Sequence, residues 1–300
     1  MAPRVTIALP VRDAAPWITT AVGSILTQTF EDWELLVIDD GSTDGTADQV
    51  RAFRDSRIRI SADGLRLGLS ARLNQAIQAS RTSLFGRMDG DDIAYPERLA
   101  RQIDWLDRHP ECDVVATHML VIDLEDSVLG RIKWRGSEHS RIAASPWSGF
   151  HFNHATWLGR TSWFRRYGYR TDAVRSEDDD LMLRSYRESH FERLSDVLYA
   201  YRVGPLRLDS ILTARRSFMR SLLKQAIGGR NPVLLFGLPL QVLKGIADIA
   251  AIKSGLGLKV LRHRAGAVLP EDVDQFERVL AQVHRHVSGE GARPLVDREN

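Results

Sequence analysis

Three short acidic segments carry residue types that could do chemistry. Arg87-Met88-Asp89-Gly90-Asp91-Asp92 sets three carboxylates within four residues, directly after the apolar run Ser83-Leu84-Phe85-Gly86. Carboxylates this close repel one another unless positive charge lies between them. Mg²⁺ or Mn²⁺ would answer that need, because both prefer oxygen ligands and bind through one or two carboxylates plus phosphate oxygens. Gly90 would let the backbone approach a ligand closely. The plain alternatives are a solvated acidic loop, or Asp92 capping the helical pattern that opens at Pro96-Glu97.

The second segment is Val37-Ile38-Asp39-Asp40-Gly41-Ser42-Thr43-Asp44. A carboxylate at the end of a buried strand can accept hydrogen bonds from a base or a ribose hydroxyl, as in other nucleotide-binding α/β sheets. Asp40 suits that role, whereas Asp44 suits a turn or helix cap. The third is Arg175-Ser176-Glu177-Asp178-Asp179-Asp180. Acidic residues favour a helix N-terminus electrostatically, but four in a row exceed what capping needs. One aimed into a cleft could act as a general base.

The elements that must position these residues alternate. Strand patterns at Val5–Leu9, Glu34–Ile38, Arg57–Ser61, Leu84–Met88 and Val114–Thr117 are separated by helical spacing over Trp17–Leu26, Thr43–Phe53, Leu69–Ala79 and Pro96–Arg108. Ser42 or Thr43 would cap the second helix. Continuous apolar strands alternating with helices predict an α/β fold with a mostly parallel central sheet flanked by helices. After Met119 the pattern changes to a hairpin (Met119–Asp123 with Val128–Trp134), a strand at Ala155–Gly159, helices at Thr161–Tyr167 and Glu177–Ser189, and closing strands at Phe191–Leu194 and Val197–Arg202. From Gly204 the chain is mainly helical, over Asp209–Ile227, Val233–Ile252 and Asp272–Val287. The residues from Gly289 carry the signs of a frayed end.

Together the acidic segments and their flanks resemble the inverting nucleotide-sugar glycosyltransferases of family 2, which have the GT-A fold. The resemblance runs from about Val5 to Arg202. Thr6-Ile7-Ala8-Leu9-Pro10-Val11-Arg12-Asp13 is similar to that family's first strand and its following turn. Ser24-Ile25-Leu26-Thr27-Gln28 with Trp33 to Asp44 is similar to its nucleotide-binding stretch, and Leu67 to Asn74 to the helix that follows. Asp89-Gly90-Asp91-Asp92 stands at its D-x-D metal site, and Glu177-Asp178 at its Glu-Asp catalytic pair.

The resemblance implies roles for particular residues. Pro10, Val11, Arg12, Asp13, Asp39, Asp40, Asp89 and Gly90 would bind the nucleotide sugar, with Asp40 holding a base, expected to be uracil. Asp91 and Asp89 would hold Mn²⁺ or Mg²⁺. Asp178 would be the catalytic base, beside Glu177. His154, within Phe152-Asn153-His154-Ala155-Thr156, would face the acceptor or serve a structural role. The implied activity is one inverting transfer from a nucleoside-diphosphate sugar to a hydroxyl of a glycan or lipid-linked saccharide. The Gln-x-x-Arg-Trp motif of processive synthases is absent, which favours single sugar addition.

A nucleotidyltransferase would want a Gly-rich, basic phosphate loop after the first strand, where Pro10-Val11-Arg12-Asp13 stands instead. No G-x-G-x-x-G follows that strand, so a dinucleotide-dependent oxidoreductase is poorly supported. A scaffold protein with a dead transferase domain is opposed by the intact Asp40, Asp91 and Asp178. Among 300 residues the net charge is +2, which gives no reason to expect nucleic acid as a partner. Cys112 is the only cysteine, so no intrachain disulfide forms. No run of about 18 uninterrupted apolar residues predicts a spanning helix. The expected location is the cytoplasm, with the inner face of the cytoplasmic membrane as an alternative.

The expected domains are a catalytic unit over 1–204 and a helical extension over 205–300. The apolar run Val233–Leu240, with basic residues from Arg215 to Arg264 around it, could pack on the catalytic unit, form a homodimer seam, or touch a membrane peripherally. Gly237 and Pro239 would break a long amphipathic face.

Overall fold

The computed structural model describes residues 2–133, 136, 138–256 and 266–288. Trp134, at the end of the predicted hairpin, the basic residues Lys259, Arg262 and Arg264, and the stretch from Gly289 lie outside the described residues. The first strands and helices are β1 (Val5–Val11), α1 (Ile18–Leu26), β2 (Trp33–Asp39), α2 (Thr46–Ala52), β3 (Ile58–Ala62), α3 (Leu69–Ala79) and β4 (Leu84–Arg87). The four strands lie in the order β3-β2-β1-β4 and all pair in parallel. Register aligns Val11 with Asp39 and Ala8 with Arg87, so the chain leaves β1, β2 and β4 at one edge of the sheet. That edge is where an open α/β sheet binds ligands.

Beyond β4 the sheet becomes mixed. The elements are β5 (Ile93–Ala94), α4 (Arg98–Arg108), β6 (Val114–Ile122), β7 (Val128–Arg131), α5 (His139–Ile142), β8 (Leu158–Arg160), α6 (Thr161–Tyr167), α7 (Glu177–Ser185) and β9 (Phe191–Arg202). β8 is antiparallel to both β4 and β6, while β9 runs parallel to β6. The predicted strand at Ala155–Gly159 begins three residues late. Thr156 donates through both its backbone N–H and its hydroxyl to the Asn153 carbonyl, at 3.0 and 2.8 Å, and curls 154–156 into one 3₁₀ turn. The two predicted closing strands are one strand whose register against β6 shifts around Ala116–Leu120, and Ser195-Asp196 lies in that irregularity. α2 starts at Thr46 because Ser42, Thr43 and Asp44 are committed to bracing the turn at 13–15.

The helical tail comprises α8 (Leu208–Gly228), a 3₁₀ turn at Pro232–Phe236, α9 (Gly237–Lys253) and α10 (Pro270–Val287). Gly237 and Pro239 do not break a face. They occupy the first turn of α9, where a missing N–H costs nothing, and the helix runs on to Lys253. Nor does the apolar run pack inward as a whole: Leu234 is buried, whereas Val233, Leu235 and Phe236 are exposed.

The residues after 204 divide between two cores: Phe218, Leu222, Ala226 and Leu234 form a small cluster with Leu183 of α7, and the last helix joins the main core. α10 returns to pack on α1, and Phe276, Val279 and Val283 join the main core with Val5, Ile7, Val22 and Leu35. Gly23 allows this approach, because a Cβ there would meet the Val287 side chain at 2.5 Å. Phe276→Ala should therefore cost about 3–5 kcal/mol of global stability, the usual cost of a buried phenylalanine. Urea unfolding followed by fluorescence would show it as a shifted midpoint; a local effect confined to the C-terminus would leave the midpoint unchanged.

Candidate active site

A cavity of about 810 Å³ opens at the carboxyl edge of the sheet, between the turn after β4 and the N-terminus of α7. Its wall includes Arg12, Asp40, Arg66 to Ser70, Arg87, Asp89, Asn153, His154, Arg175, Glu177 and Asp178. Two of the acidic segments thus meet across one space, and the third supports its side.

Asp40 is held rather than free. Its carboxylate accepts from the backbone N–H groups of Leu67 (2.7 Å) and Gly68 (3.1 Å) and from Nε of buried Arg72 (2.9 Å). It therefore fixes the Leu67-Gly68 wall instead of presenting a vacant acceptor to a base. Asp39 lies deeper. One oxygen accepts from the Ser42 N–H at 3.0 Å, and the other is buried without a partner. Asp13 takes a left-handed backbone with φ of 49° and accepts from the Thr43 N–H at 2.9 Å. Asp44 accepts from the backbone N–H groups of Ala15 and Thr46, in the turn-bracing manner its position suggested.

Several residues of the expected nucleotide set stand outside the cavity wall. Pro10 and Val11 are buried within β1, and Asp13 braces the turn behind it. Gly90 serves packing, not ligand approach: a Cβ there would lie 2.6 Å from the Val11 side chain. Arg12 and Asp89 do line the cavity.

The acidic turn divides its three carboxylates. Asp92 does not cap α4. It is fully buried and accepts from the Tyr199 hydroxyl and the Arg202 N–H, both at 2.8 Å, because Ile93–Ala94 pairs with β9 before any helix starts. Arg202 clamps the same turn. It donates to the Asp91 and Asp123 carbonyls at 2.7 Å and to the Asp126 carboxylate at 2.6 Å. Asp91 has no basic side chain paired with it among the described residues, and burial followed by the Asp89 charge pushes its carboxyl up to about 6. Asp89 pairs with Arg87. Asp89 and Asp91 offer hard oxygen ligands from one turn, and Asp91 is half-buried with no ion-pair partner among the described residues, which suits a divalent cation.

Arg87 was not singled out in the sequence, yet it organises the centre. Buried at the end of β4, its guanidinium reaches Asp89 on one side and donates to His154 Nδ1 at 2.6 Å on the other. A permanently charged donor makes Nδ1 an acceptor, so His154 carries its proton on Nε2 and donates it to the Tyr169 hydroxyl at 2.9 Å. Burial, then the Arg87 charge, depresses the His154 pKa well below its ordinary value. His154 is a neutral strut between Arg87 and Tyr169. Although it clusters with Glu177 and Asp178 within metal-ligand reach, both ring nitrogens are occupied, which disfavours a cation there. Behind this layer Arg98 donates to the Arg87 carbonyl at 2.8 Å, and Gln102 to the carbonyls of Val115 and Thr156.

The four acidic residues opening α7 have three different fates. Glu177 and Asp178 face the cavity, Asp178 the more exposed of the two. Burial raises both carboxyls, that of Glu177 to about 7. Asp179 points instead into a second cavity of about 610 Å³ bounded by α8 and α9, where burial pushes it up to about 8. Asp180 is structural, accepting from Arg184 (2.7 Å) and from the Ser221 hydroxyl of α8 (2.8 Å). Exposed Arg66 and Arg175 stand at the mouth of the main cavity, the latter with φ of 59°. Neither sits in a pattern that sequence reasoning could single out.

Residues 6–168 match the family model for glycosyl transferase family 2. The chain belongs to that family and is a glycosyltransferase with the GT-A fold. Among its relatives, EpsE of Bacillus subtilis (strain 168), which bears a glycosyltransferase name, is 34% identical over 227 residues, covering 73% of this chain and 78% of that protein. The Escherichia coli protein WfgD, named UDP-Glc:alpha-D-GlcNAc-diphosphoundecaprenol beta-1,3-glucosyltransferase, is 34% identical over 102 residues, 34% of this chain and 40% of its own. Among solved structures, S. aureus TarS 1–349 in complex with UDP superposes with a TM-score of 0.57 at 17% identity, covering 98% of this chain and 94% of that one. The mannosyltransferase PcManGT of Pyrobaculum calidifontis, in complex with GDP-Man and Mn²⁺, gives 0.56 at 17% identity, covering 100% and 89%.

The buried carboxyls make a testable stability statement. Glu177 and Asp179 hold protons in the folded chain at pH values where the unfolded chain has released them. Their contribution is most favourable below about pH 4 and is lost as pH rises through about 7 to 8. Urea midpoints of the double variant Glu177→Gln, Asp179→Asn should fall less between pH 5 and 8 than those of the parent chain. Parallel pH profiles would refute the buried-proton assignment.

Proposed function

We propose that the protein is an inverting, metal-dependent, non-processive transferase that moves a sugar from a nucleoside-diphosphate sugar to a hydroxyl of a glycan or lipid-linked saccharide. The observation that carries this reading is the meeting of Asp89, in the acidic turn that also holds Asp91, with the Glu177-Asp178 helix end across one cavity. A leaving diphosphate needs positive charge, and an acceptor hydroxyl needs a base on the opposite side of the reacting carbon.

Asp91 and Asp89 would hold Mn²⁺ or Mg²⁺. When bound, the ion would neutralise charge that builds on the diphosphate as its bond to the sugar breaks. Arg12, Arg66 and Arg175 at the cavity supply further positive charge for the phosphates. The Asp39–Asp40 turn and the Leu67-Gly68 backbone form the side suited to the nucleoside. The bound UDP of TarS and the WfgD name make a UDP-sugar the first donor to test.

Asp178 accepts the proton of the acceptor hydroxyl. That oxygen forms its bond to the anomeric carbon while the carbon–phosphate-oxygen bond breaks, and the single in-line displacement inverts the carbon. Glu177 lies deeper, and burial followed by the Asp178 charge raises its carboxyl to about 7, so of the two Asp178 is the more readily ionised and the better placed to act as base. His154 acts by fixing Arg87 and the cavity wall, not by touching the acceptor. The WfgD name, which specifies a GlcNAc-diphosphoundecaprenol acceptor, supports a lipid-linked saccharide as the acceptor class.

Two experiments test the reading. Chelation should abolish transfer from UDP-sugars and added Mn²⁺ or Mg²⁺ should restore it, while Asp91→Asn should weaken metal-dependent binding of the nucleoside diphosphate. Full turnover in excess chelator would remove the metal from the scheme. Asp178→Asn should leave donor binding nearly intact and lower turnover by at least about 10²-fold, the lower range for loss of a general base. A fully active Asp178→Asn beside an inactive Glu177→Gln would move the base to Glu177.

A further inference from the structure

α9 is an amphipathic helix turned inside out. Its inward face carries Gly237, Gln241, Gly245 and Asp248, all buried. Arg215 of α8 donates to Gln241 at 2.8 Å and to Asp248 at 2.9 Å, and Lys244 donates to the Ser148 carbonyl at 2.9 Å. These polar contacts fix which side of the helix faces the protein. The apolar residues are left outside: Phe236 is 71% exposed, Leu243 64% and Ile246 58%. A helix held by buried polar contacts while exposing its large apolar side chains gains nothing from that exposure in water.

α8 extends the same character. Arg216, Arg220, Leu223 and Ile227 recur every three or four residues, so they share one face, and all four are exposed. Ile227 is 71% exposed. Arg216, Arg220 and the nearby exposed Arg230 make no ion pair among the described residues. From Ser210 to Leu256 the chain has seven lysines and arginines and one acidic residue, Asp248, which is turned inward. The exposed surfaces of α8 and α9 together carry large apolar side chains and unbalanced positive charge.

We infer that these exposed surfaces dock on an anionic lipid bilayer, with Phe236, Leu243, Ile246 and Ile227 entering the headgroup–acyl boundary and Arg216, Arg220 and Arg230 meeting lipid phosphates. Charge decides between occupants. A second copy would oppose its own cationic face to this one, whereas anionic headgroups complement it. Residues Pro232–Lys253 are long and apolar enough by composition to cross a membrane. The inward contacts of Gln241, Lys244 and Asp248 tie the helix to the protein instead, so it lies on the surface. The inference is independent of the sugar-transfer chemistry.

Sedimentation of the full chain with vesicles tests it. The chain should bind vesicles containing phosphatidylglycerol, bind pure phosphatidylcholine poorly, and be released by raised salt. Arg216→Gln with Arg220→Gln should weaken binding about 30-fold, since each basic residue at such a surface contributes about fivefold. Leu243→Glu with Ile246→Glu should abolish it while the thermal midpoint stays unchanged, both side chains being exposed. Failure to bind anionic vesicles at low salt overturns the inference. So does equal binding by the arginine pair variant, or a dimer in analytical ultracentrifugation that the Leu243, Ile246 variant dissolves without any vesicle binding by the parent chain.

Discussion

Repulsion among carboxylates gathered in a largely dry volume is the constraint on which the structure turns. Asp89, Asp91, Asp92, Glu177 and Asp178 converge at the carboxyl edge of the sheet, and burial, then their mutual charge, raises several of their pKa values. Two buried arginines make the arrangement tolerable. Arg87 stands between Asp89 and His154, and Arg202 threads the acidic turn to the β6–β7 hairpin. Arg202 has its charge and most of its donors engaged, and Arg87 has its charge paired with Asp89, which lowers the penalty of burying each ion. What remains uncompensated is Asp91 and the Glu177-Asp178 pair, and those are the groups the reaction calls for.

The same economy governs the second layer. Asp40 uses its carboxylate to hold a backbone wall, Asp92 to hold β9, and Asp180 to hold α8. Acidic residues that look alike in the chain thus divide into those that build the cavity and those left open within it. Such division is a general property of functional sites. Rigid polar scaffolding keeps reactive groups from finding their own partners.

Much of the fold was legible. Strand and helix spacing placed β2, α3, β4 and α6 nearly to the residue, because each combines a clear period with a clear stop, whereas β1 runs two residues past the expected Leu9. The misplacements have local causes. β8 starts late because Thr156 turns back on Asn153. The sheet is less parallel than alternation alone suggests, because β8 enters antiparallel between β4 and β6. α10 falls within the expected helical extension, yet Phe276 and Val283 complete the main core. The orientation of α9 could not be read at all, since its apolar residues invited burial and its polar contacts with Arg215 and Ser148 exist only once α8 and the 146–149 turn are in place.

The sequence by itself determined the family, the alternation of strands and helices, and the acidic segments from which the site is made, because these depend on residue type and spacing within short windows. Tertiary structure alone decided which carboxylate does what. Asp91 and Asp92 are neighbours, as are Asp178 and Asp179, and no local signal separates them. Their roles follow from what lies across from each: Arg202 and Tyr199 claim Asp92, Phe150 and α9 surround Asp179, and Asp178 meets the open cavity. Those partners lie many residues away in the chain, and only folding brings their charge and hydrogen-bonding groups within reach.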